Sequence, residues 1–407
     1  MLTASAAARP LTLRLAAVQW AAVLALGYGL LQVLAQAPGQ EMPDTVQYAR
    51  LALHRTGTPW AATAAPAARQ ECRDRINLPV GGRSAVPQTL VTPSEDRVEA
   101  CVRLFVRAAG SGTGIGDPRY TAIFAARPLY PLLAAGPVAV LGVAWGMWLP
   151  ALACGLLAGM LVFALLRTLG ASTGAALAGQ LLCYVLPVGF WALRPMSEGP
   201  SLAATLTALL GAALTVRQPA RPRPGLTLLA VGTAAGFLTR YSTAVLVTAA
   251  LAAVLLVLAA LPRTRTRTVA AAAAVAAAGA LAQPFAAKAL GWPGTAVTLQ
   301  DTFTRHFNRP AVAHPWRMLL DLEGQLWPDW LHSIGTQPLL PIAVLAGAVA
   351  LWRTSRAAAA LVLAVAATGL ATVAAHPVMT EADRLVSPLW LAAVIGLPLW
   401  LPRTPRA

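Results

Sequence analysis

The chain reads as an all-α polytopic membrane protein, and three features say so. Of its 407 residues, 57% are hydrophobic and 11% charged, with a mean hydropathy of +0.63. A soluble domain carries about a quarter charged residues. Apolar runs near 15–35, 147–166, 174–193, 199–216, 242–261, 268–287 and 357–375 approach the roughly 20 residues that cross a hydrocarbon core of about 30 Å. Charge is also partitioned. Once the runs are threaded, all 15 acidic residues fall on one side, and the short connections on the other side carry arginine without any carboxylate.

The elements follow in order. Residues 1–14 hold Arg9 and Arg14 and no acid ahead of a first span at 15–35. The segment Ala35-Gln36-Ala37 resembles a signal-peptidase site, but the span is longer than a usual signal core and Pro38 would follow the cut. An uncleaved signal anchor is expected. With the N-terminus inside, residues 36–127 form a long extracytoplasmic first loop containing juxtamembrane helices. The next stretch, 128–166, is apolar enough for one span or two. The clusters Arg217, Arg221, Arg223, then Arg263, Arg265, Arg267, then Arg353, Arg356, then Arg403, Arg406 decide it, because cytoplasmic loops are enriched in Lys and Arg. That parity makes 128–145 an interfacial or re-entrant segment and 147–166 the second span. Spans at 174–193, 199–216, 225–239, 242–261, 268–289, 336–352, 357–375 and 386–402 complete about ten transmembrane helices. Both termini are then cytoplasmic, a second extracytoplasmic segment covers 290–335, and 1–407 is a single integral-membrane domain. The net charge of +16 would suggest nucleic acid, but the arginines sit in short loops with no interleaved aromatics, so the partner is the bilayer. An alanine and arginine bias with Lys288 as the only lysine points to a GC-rich bacterial genome and a bacterial plasma membrane.

Several residues carry candidate chemistry. Asp44 follows the first span and a Pro38-Gly39 break, at the start of a helix expected from Thr45. From spacing alone it is an N-cap, with Val46, Ala49 and Leu53 resting on the membrane. The functional alternative is a carboxylate at the bilayer surface, its pKa raised by partial desolvation, taking a proton from an acceptor hydroxyl. Glu41 stands three residues earlier and Tyr48 a turn later. The Gly110–Gly116 stretch lacks the Lys-Ser/Thr of a phosphate-binding loop, which argues against nucleotides. Arg127-Pro128-Leu129-Tyr130-Pro131 suits a segment lying in the interface. Arg194, Arg240, Lys288 and Arg384 stand at outer span ends. Snorkelling is their default role, although Arg240 is flanked by apolar sequence and Arg384 by acids. Either guanidinium suits a phosphate. Glu198 opens a span where its charge favours the helix dipole. Cys72 and Cys101 share the external loop, and a bridge or two free thiols are both compatible with it. The 290–335 segment holds His306, His314, His332, Asp301 and four tryptophans without a zinc-ligand spacing.

Taken together, these elements resemble the GT-C class of integral-membrane glycosyltransferases, including the protein mannosyltransferase and aminoarabinose transferase relatives. The matching parts are Asp44 with Tyr48 after the first span, the Arg127 to Pro131 loop exit, the Ser197-Glu198 pair, Arg240 within an apolar pair of spans, and Glu381, Arg384 and Pro388 before the last span. The resemblance implies a polyprenyl-phosphate-linked sugar as donor, and a glycan, lipid or protein acceptor on the extracytoplasmic face. It implies Asp44 as general base in an inverting transfer, with Glu41, Tyr48 and Glu198 in support. Arg240, Arg384 and Arg127, or a divalent metal, would then meet the departing phosphate. Only Glu41 accompanies Asp44 closely where relatives have paired acids. The loop exit also departs from their Lys-Pro-Pro-Leu or His-Pro-Pro-Leu form. A transporter or flippase for a lipid-linked or small polar substrate, and a non-catalytic membrane scaffold, are the alternatives.

Overall fold

The computed structural model describes residues 11–35, 43–77, 95–336 and 338–401. Every regular element among them is helical. Glu41, Arg9, Arg403 and Arg406 lie outside the described residues. Among the described residues, seven helical stretches are long and apolar enough to cross a membrane: Ala16–Leu34, Leu129–Thr168, Glu198–Arg217, Pro222–Ala260, Arg267–Ala289, Arg356–Ala375 and Met379–Trp400. An eighth arises if Pro315–Thr336 and Leu339–Thr354, bent by 85°, count as one. The chain is a multi-pass membrane protein by this measure.

Two expected spans look different. The run at 174–193 is split into α7 (Thr173–Val185) and α8 (Pro187–Ala192), because Pro187 cannot donate a backbone hydrogen bond and forces Leu186 into an extended conformation. The run at 336–352 becomes α14 (Leu339–Thr354), 16 residues long and turned sharply from α13 (Pro315–Thr336).

Two long helices are in fact hairpins. Helix α6 (Leu129–Thr168) breaks at Gly142, whose φ of 78° a side chain would strain. Beyond the break the chain folds back, so that Gly146 abuts the Val138 backbone and the Tyr130 hydroxyl donates to the Met147 carbonyl at 2.6 Å. A straight helix would hold residues 130 and 147 about 25 Å apart. Helix α10 (Pro222–Ala260) breaks at Arg240, where the backbone is extended (φ −158°, ψ 81°). Gly236 then packs against the Ala244 side chain, and Thr233 and Thr248 line one chamber. The arms on either side of Arg240 are therefore antiparallel.

These turns sort the molecule into two ends. Arg217 closes α9 (Glu198–Arg217), Thr268 at the start of α11 (Arg267–Ala289) donates to the Pro219 carbonyl at 2.8 Å, and Arg353 lies over the Trp400 ring. That is the basic end. The start of α9, the Arg240 turn, the end of α15 (Arg356–Ala375) and the stretch around Arg384 lie at the other.

The elements between residues 43 and 125 cover that second end. Helix α2 (Pro43–Arg55) begins one residue before Asp44, with proline at its first position, as helix starts favour. Asp44 thus lies in the first turn and is not the cap. Thr45 to Arg50 are all buried, Val46 and Ala49 to within 1%, so the face expected against lipid packs in protein, against α6 and the Tyr120 and Phe124 rings of α5 (Pro118–Ala125). Helices α3 (Ala64–Asn77) and α4 (Glu95–Ala109) form a hairpin closed by a Cys72–Cys101 disulfide. Arg69–Glu99 (2.8 Å) and Arg73–Glu95 (3.2 Å) decorate it, exposed pairs contributing at most about 1 kcal/mol each.

Candidate functional site

The site assembles from segments hundreds of residues apart. Asp44 Oδ2 accepts from Arg384 Nη1 at 3.0 Å. Arg384 sits in the short helix α16 (Ala382–Val386), just after a turn that places Glu381 three residues earlier. Its Nε lies 2.9 Å from Glu381 Oε2 and 3.6 Å from Glu198 Oε1. Glu198 stands in the first turn of α9, where the N-terminal dipole favours a carboxylate, and its Oε1 also accepts from Arg240 Nη1 at 2.8 Å. The break that makes α10 a hairpin is what puts Arg240 there, at an apex between two arms.

A second chain of contacts adjoins the first. Arg127, just ahead of α6, donates from Nη1 to the Tyr48 hydroxyl at 3.0 Å, and Tyr48 donates to Ser197 Oγ at 3.0 Å. The Tyr48 ring is buried edge-on against Phe124 and Tyr130. Met196 connects the two chains, its Sδ 3.6 Å from Arg384 Nη1. Three carboxylates and three guanidiniums, from α2, the α6 entry, α9, the α10 turn and the α16 region, thus converge on one spot. Side chains here are 10 to 28% exposed where ion pairs form. Such burial makes pairing obligatory, because an unpartnered charge would cost several kcal/mol.

The expectation for Asp44 is overturned in one respect. Burial does push its carboxyl up, but the Arg384 and then the Arg127 guanidinium outweigh it, with the Arg384 hydrogen bond and Arg240 adding to them. The net direction is below the ordinary aspartate value. Asp44 is held ionised, and its Oδ1 makes no hydrogen bond among the described residues.

A cavity of about 60 Å³ opens beside this cluster, lined by Glu198, Arg240, Arg384 and by Ser201, Thr205, Thr243 and Thr372. Glu198, Ser201 and Thr205 recur at three- and four-residue spacing on one face of α9, so the cavity runs about 10 Å into the bundle from the ion cluster. A smaller chamber lined by Ser201, Thr205, Thr233 and Thr248 continues it between α9 and the two arms of α10. Asp44 does not line the cavity and reaches it through Arg384. Glu198 Oε2 and Arg240 Nε are buried without a hydrogen-bond partner.

Of the residues singled out from sequence, Asp44, Tyr48, Arg127, Glu198, Arg240 and Arg384 come together. Arg194 instead lies over the Phe190 ring at 4.2 Å. The carboxylates do not suit a divalent ion. Asp44, Glu198 and Glu381 are each engaged by a guanidinium, and no group of three metal-ligating side chains occurs among the described residues.

The segment after α12 (Thr295–Phe303) lies within the 290–335 stretch, whose sequence is compatible with an interfacial aromatic belt or with acceptor binding, and it forms a wall of the site. Thr302 Oγ1 meets His376 Nδ1 at 3.0 Å, pinning α12 to the end of α15. Burial pushes the His376 imidazole down to about 4, so this tie is neutral. Arg305, His306 and Phe307 then take left-handed φ values of 51°, 58° and 61° in succession, a conformation costing L-residues about 1–2 kcal/mol each. No local sequence signal marks that turn, since none of the three is glycine or asparagine.

No family model matches the chain, and neither does any curated protein or solved structure.

Proposed function

We propose that the chain is an inverting glycosyltransferase of the GT-C kind, moving a sugar from a polyprenyl-phosphate carrier to an acceptor on the outer face of a bacterial plasma membrane. One observation carries this reading. Three guanidiniums and three carboxylates converge at the end of the bundle opposite the arginine-rich connections, against a cavity entering the membrane-spanning part. The two hairpins support the accompanying topology. If the arms of α10 cross separately, and α7 with α8 and α13 with α14 each complete a crossing, about ten spans result. Both termini and the basic connections are then cytoplasmic, and 36–127 is extracytoplasmic.

In this reading the donor's phosphate lies at Arg384 and Arg240, with Arg127, whose only polar partner among the described residues is the neutral Tyr48 hydroxyl, completing the charge. The acceptor oxygen forms a bond to the anomeric carbon as its proton passes to Asp44 Oδ1. The bond from that carbon to the phosphate oxygen breaks, its electron pair leaves with polyprenyl phosphate, and the configuration inverts. A carboxylate of lowered pKa takes the proton late, when the new bond has already acidified the hydroxyl. The hydroxyl-lined chamber below the cluster gives the transporter alternative its one specific support.

The test is transfer from polyprenyl-phosphate sugars by the purified protein and its Asp44→Asn variant. Losing a positioned base should slow transfer about 10²- to 10⁴-fold. Undiminished transfer removes Asp44 from the chemistry. Substrate uptake into sealed vesicles without transfer favours the transporter.

A further inference from the structure

The strained turn after α12 is rigidly built. Thr304 is 1% exposed. Its Oγ1 donates to the Gln300 carbonyl at 2.6 Å and accepts from Phe307 N at 2.9 Å. His306 N donates to the Asp301 carbonyl at 2.8 Å and Arg309 N to the Thr304 carbonyl at 3.0 Å. Gln300 clamps both backbone groups of Val312. Phe307 is the anchor. It is buried in the same cluster as Tyr48, Tyr120 and Tyr130, with the Arg119 guanidinium 4.3 Å over its ring. The turn is therefore fixed to the aromatic floor of the Asp44 site, and its strained backbone is paid for by these bonds and by that burial.

What it presents outward is cationic. Arg305, His306 and Arg309 are exposed. Arg305 and Arg309 make no ion pair among the described residues. The groups facing His306 are Asp301 of α12, whose Oδ1 lies 3.0 Å from Nδ1, and the Tyr120 ring of α5 at 4.7 Å. Asp44 and Glu381 act on it from further off. The Asp301 hydrogen bond, opposed by burial and helped by those charges, moves the imidazole above the ordinary histidine range. With Nδ1 committed, Nε2 is the nitrogen left for a ligand. Arg119 is already tied to Asp117 at 2.8 Å. Apart from the buried Phe307, the turn thus displays two guanidiniums without counter-charges and one imidazole paired with Asp301.

We propose that the turn formed by Arg305, His306 and Arg309 is an acceptor-binding subsite for an anionic, phosphate- or carboxylate-bearing molecule. The proposal rests on the glycosyl-transfer reading for the word acceptor, and on geometry alone for the anion. Phosphate or carboxylate oxygens receive hydrogen bonds from the two guanidiniums and, when protonated, from His306 Nε2. Neutral hydroxyl-bearing chains lack that attraction.

The experiment measures binding without donor, so its outcome is separate from whether sugar is transferred. Full-length protein in phosphatidylcholine nanodiscs is titrated with poly(glycerol phosphate), and with neutral dextran as the control. The expected result is salt-sensitive binding of the polyanion only, weakened about tenfold or more in Arg305→Gln/Arg309→Gln and retained in Arg305→Lys/Arg309→Lys. Binding should strengthen as pH falls through the raised His306 value. His306→Gln should abolish that increment, and Asp301→Asn should move its midpoint to lower pH. Equal affinity of wild type and the Gln variant for the polyanion overturns the proposal. So does a loss seen only with vesicles containing phosphatidylglycerol, which would make the turn a headgroup contact. Polyanion binding by a protein that transfers no sugar leaves the anion subsite standing and removes the transferase reading.

Discussion

The bundle and its outer cap are held together by different means. In the bundle the buried faces combine small residues with leucine and valine, and some helices turn only small residues inward. Ala17, Ala21 and Ala25 of α1 (Leu11–Ala35) repeat every fourth residue toward the protein, while Trp20, Leu26, Leu30 and Leu34 point outward. Lipid is as apolar as leucine, so burying leucine there gains little, and close backbone approach supplies the attraction. In the cap the buried residues are Tyr48, Tyr120, Phe124, Tyr130 and Phe307, with ion pairs among them. In the cap aromatic burial adds to the packing, and the buried carboxylates Asp44, Glu198 and Glu381 each meet a guanidinium. The comparison teaches where the fold tolerates chemistry: the bundle is sensitive to volume, the cap to charge.

The largest expected effect lies in the bundle. A Cβ on Gly396 would overlap the carbonyl and Cα of Gly347, backbone atoms of α14 that cannot step aside. Gly396→Leu should destabilise by about 3 kcal/mol or more, read as loss of the monodisperse species in detergent and a lowered Tm. A variant as stable as wild type would show that α14 and the 391–400 stretch do not pack as described. Next is Arg384→Gln. It leaves Glu198 with Arg240 and Asp44 with Arg127 as the foremost remaining cation, and stranding buried charge costs about 3–5 kcal/mol. It also removes the foremost of the charges that oppose burial at Asp44. The sign follows. In the wild type Asp44 stays ionised until pH falls below its ordinary range, so its ion-pair stability is lost only there. In the variant the pKa rises, and Asp44 protonates at a higher pH. A pH–stability profile with an acid limb unmoved by the substitution would contradict the pairing.

Much of this was legible before any coordinates. Gly142, where α6 breaks, lies within the stretch 128–166 whose composition leaves one span or two open. Apolar sequence on both sides of Arg240 marks it as a break, because a guanidinium in an uninterrupted span has nowhere to go. Other features were not legible, for physical reasons. Proximity of Asp44 to Arg384 spans a sequence separation of 340, and no local pattern encodes it. The direction of the Asp44 shift follows from that partner, so burial alone gave the wrong sign. The face of α2 was assigned to lipid because an amphipathic pattern does not say which apolar medium it meets. Ser201 and Thr205 could have been found from their helical spacing to Glu198, whereas the left-handed run at 305–307 has no composition signal at all.

The smallest effect is expected where the cap is furthest from the site. The hairpin of α3 and α4 has a core of its own consisting of Cys72, Val98 and Val102, with Ala65 and Cys101 beside it. That is too little apolar area to hold two helices together in water, and the exposed ion pairs add little. The Cys72–Cys101 bridge, closing 29 residues of sequence, therefore carries the hairpin, restricting the open chain by about 3 kcal/mol in the loop-entropy account. Replacing both cysteines by serine should make 64–109 the first segment cut in limited proteolysis. The melting of the bundle should shift by less than about 1 kcal/mol, since its packing of small residues involves none of these side chains. A shift as large as that of Gly396→Leu would mean that cap and bundle unfold together, and the division drawn between them would fail.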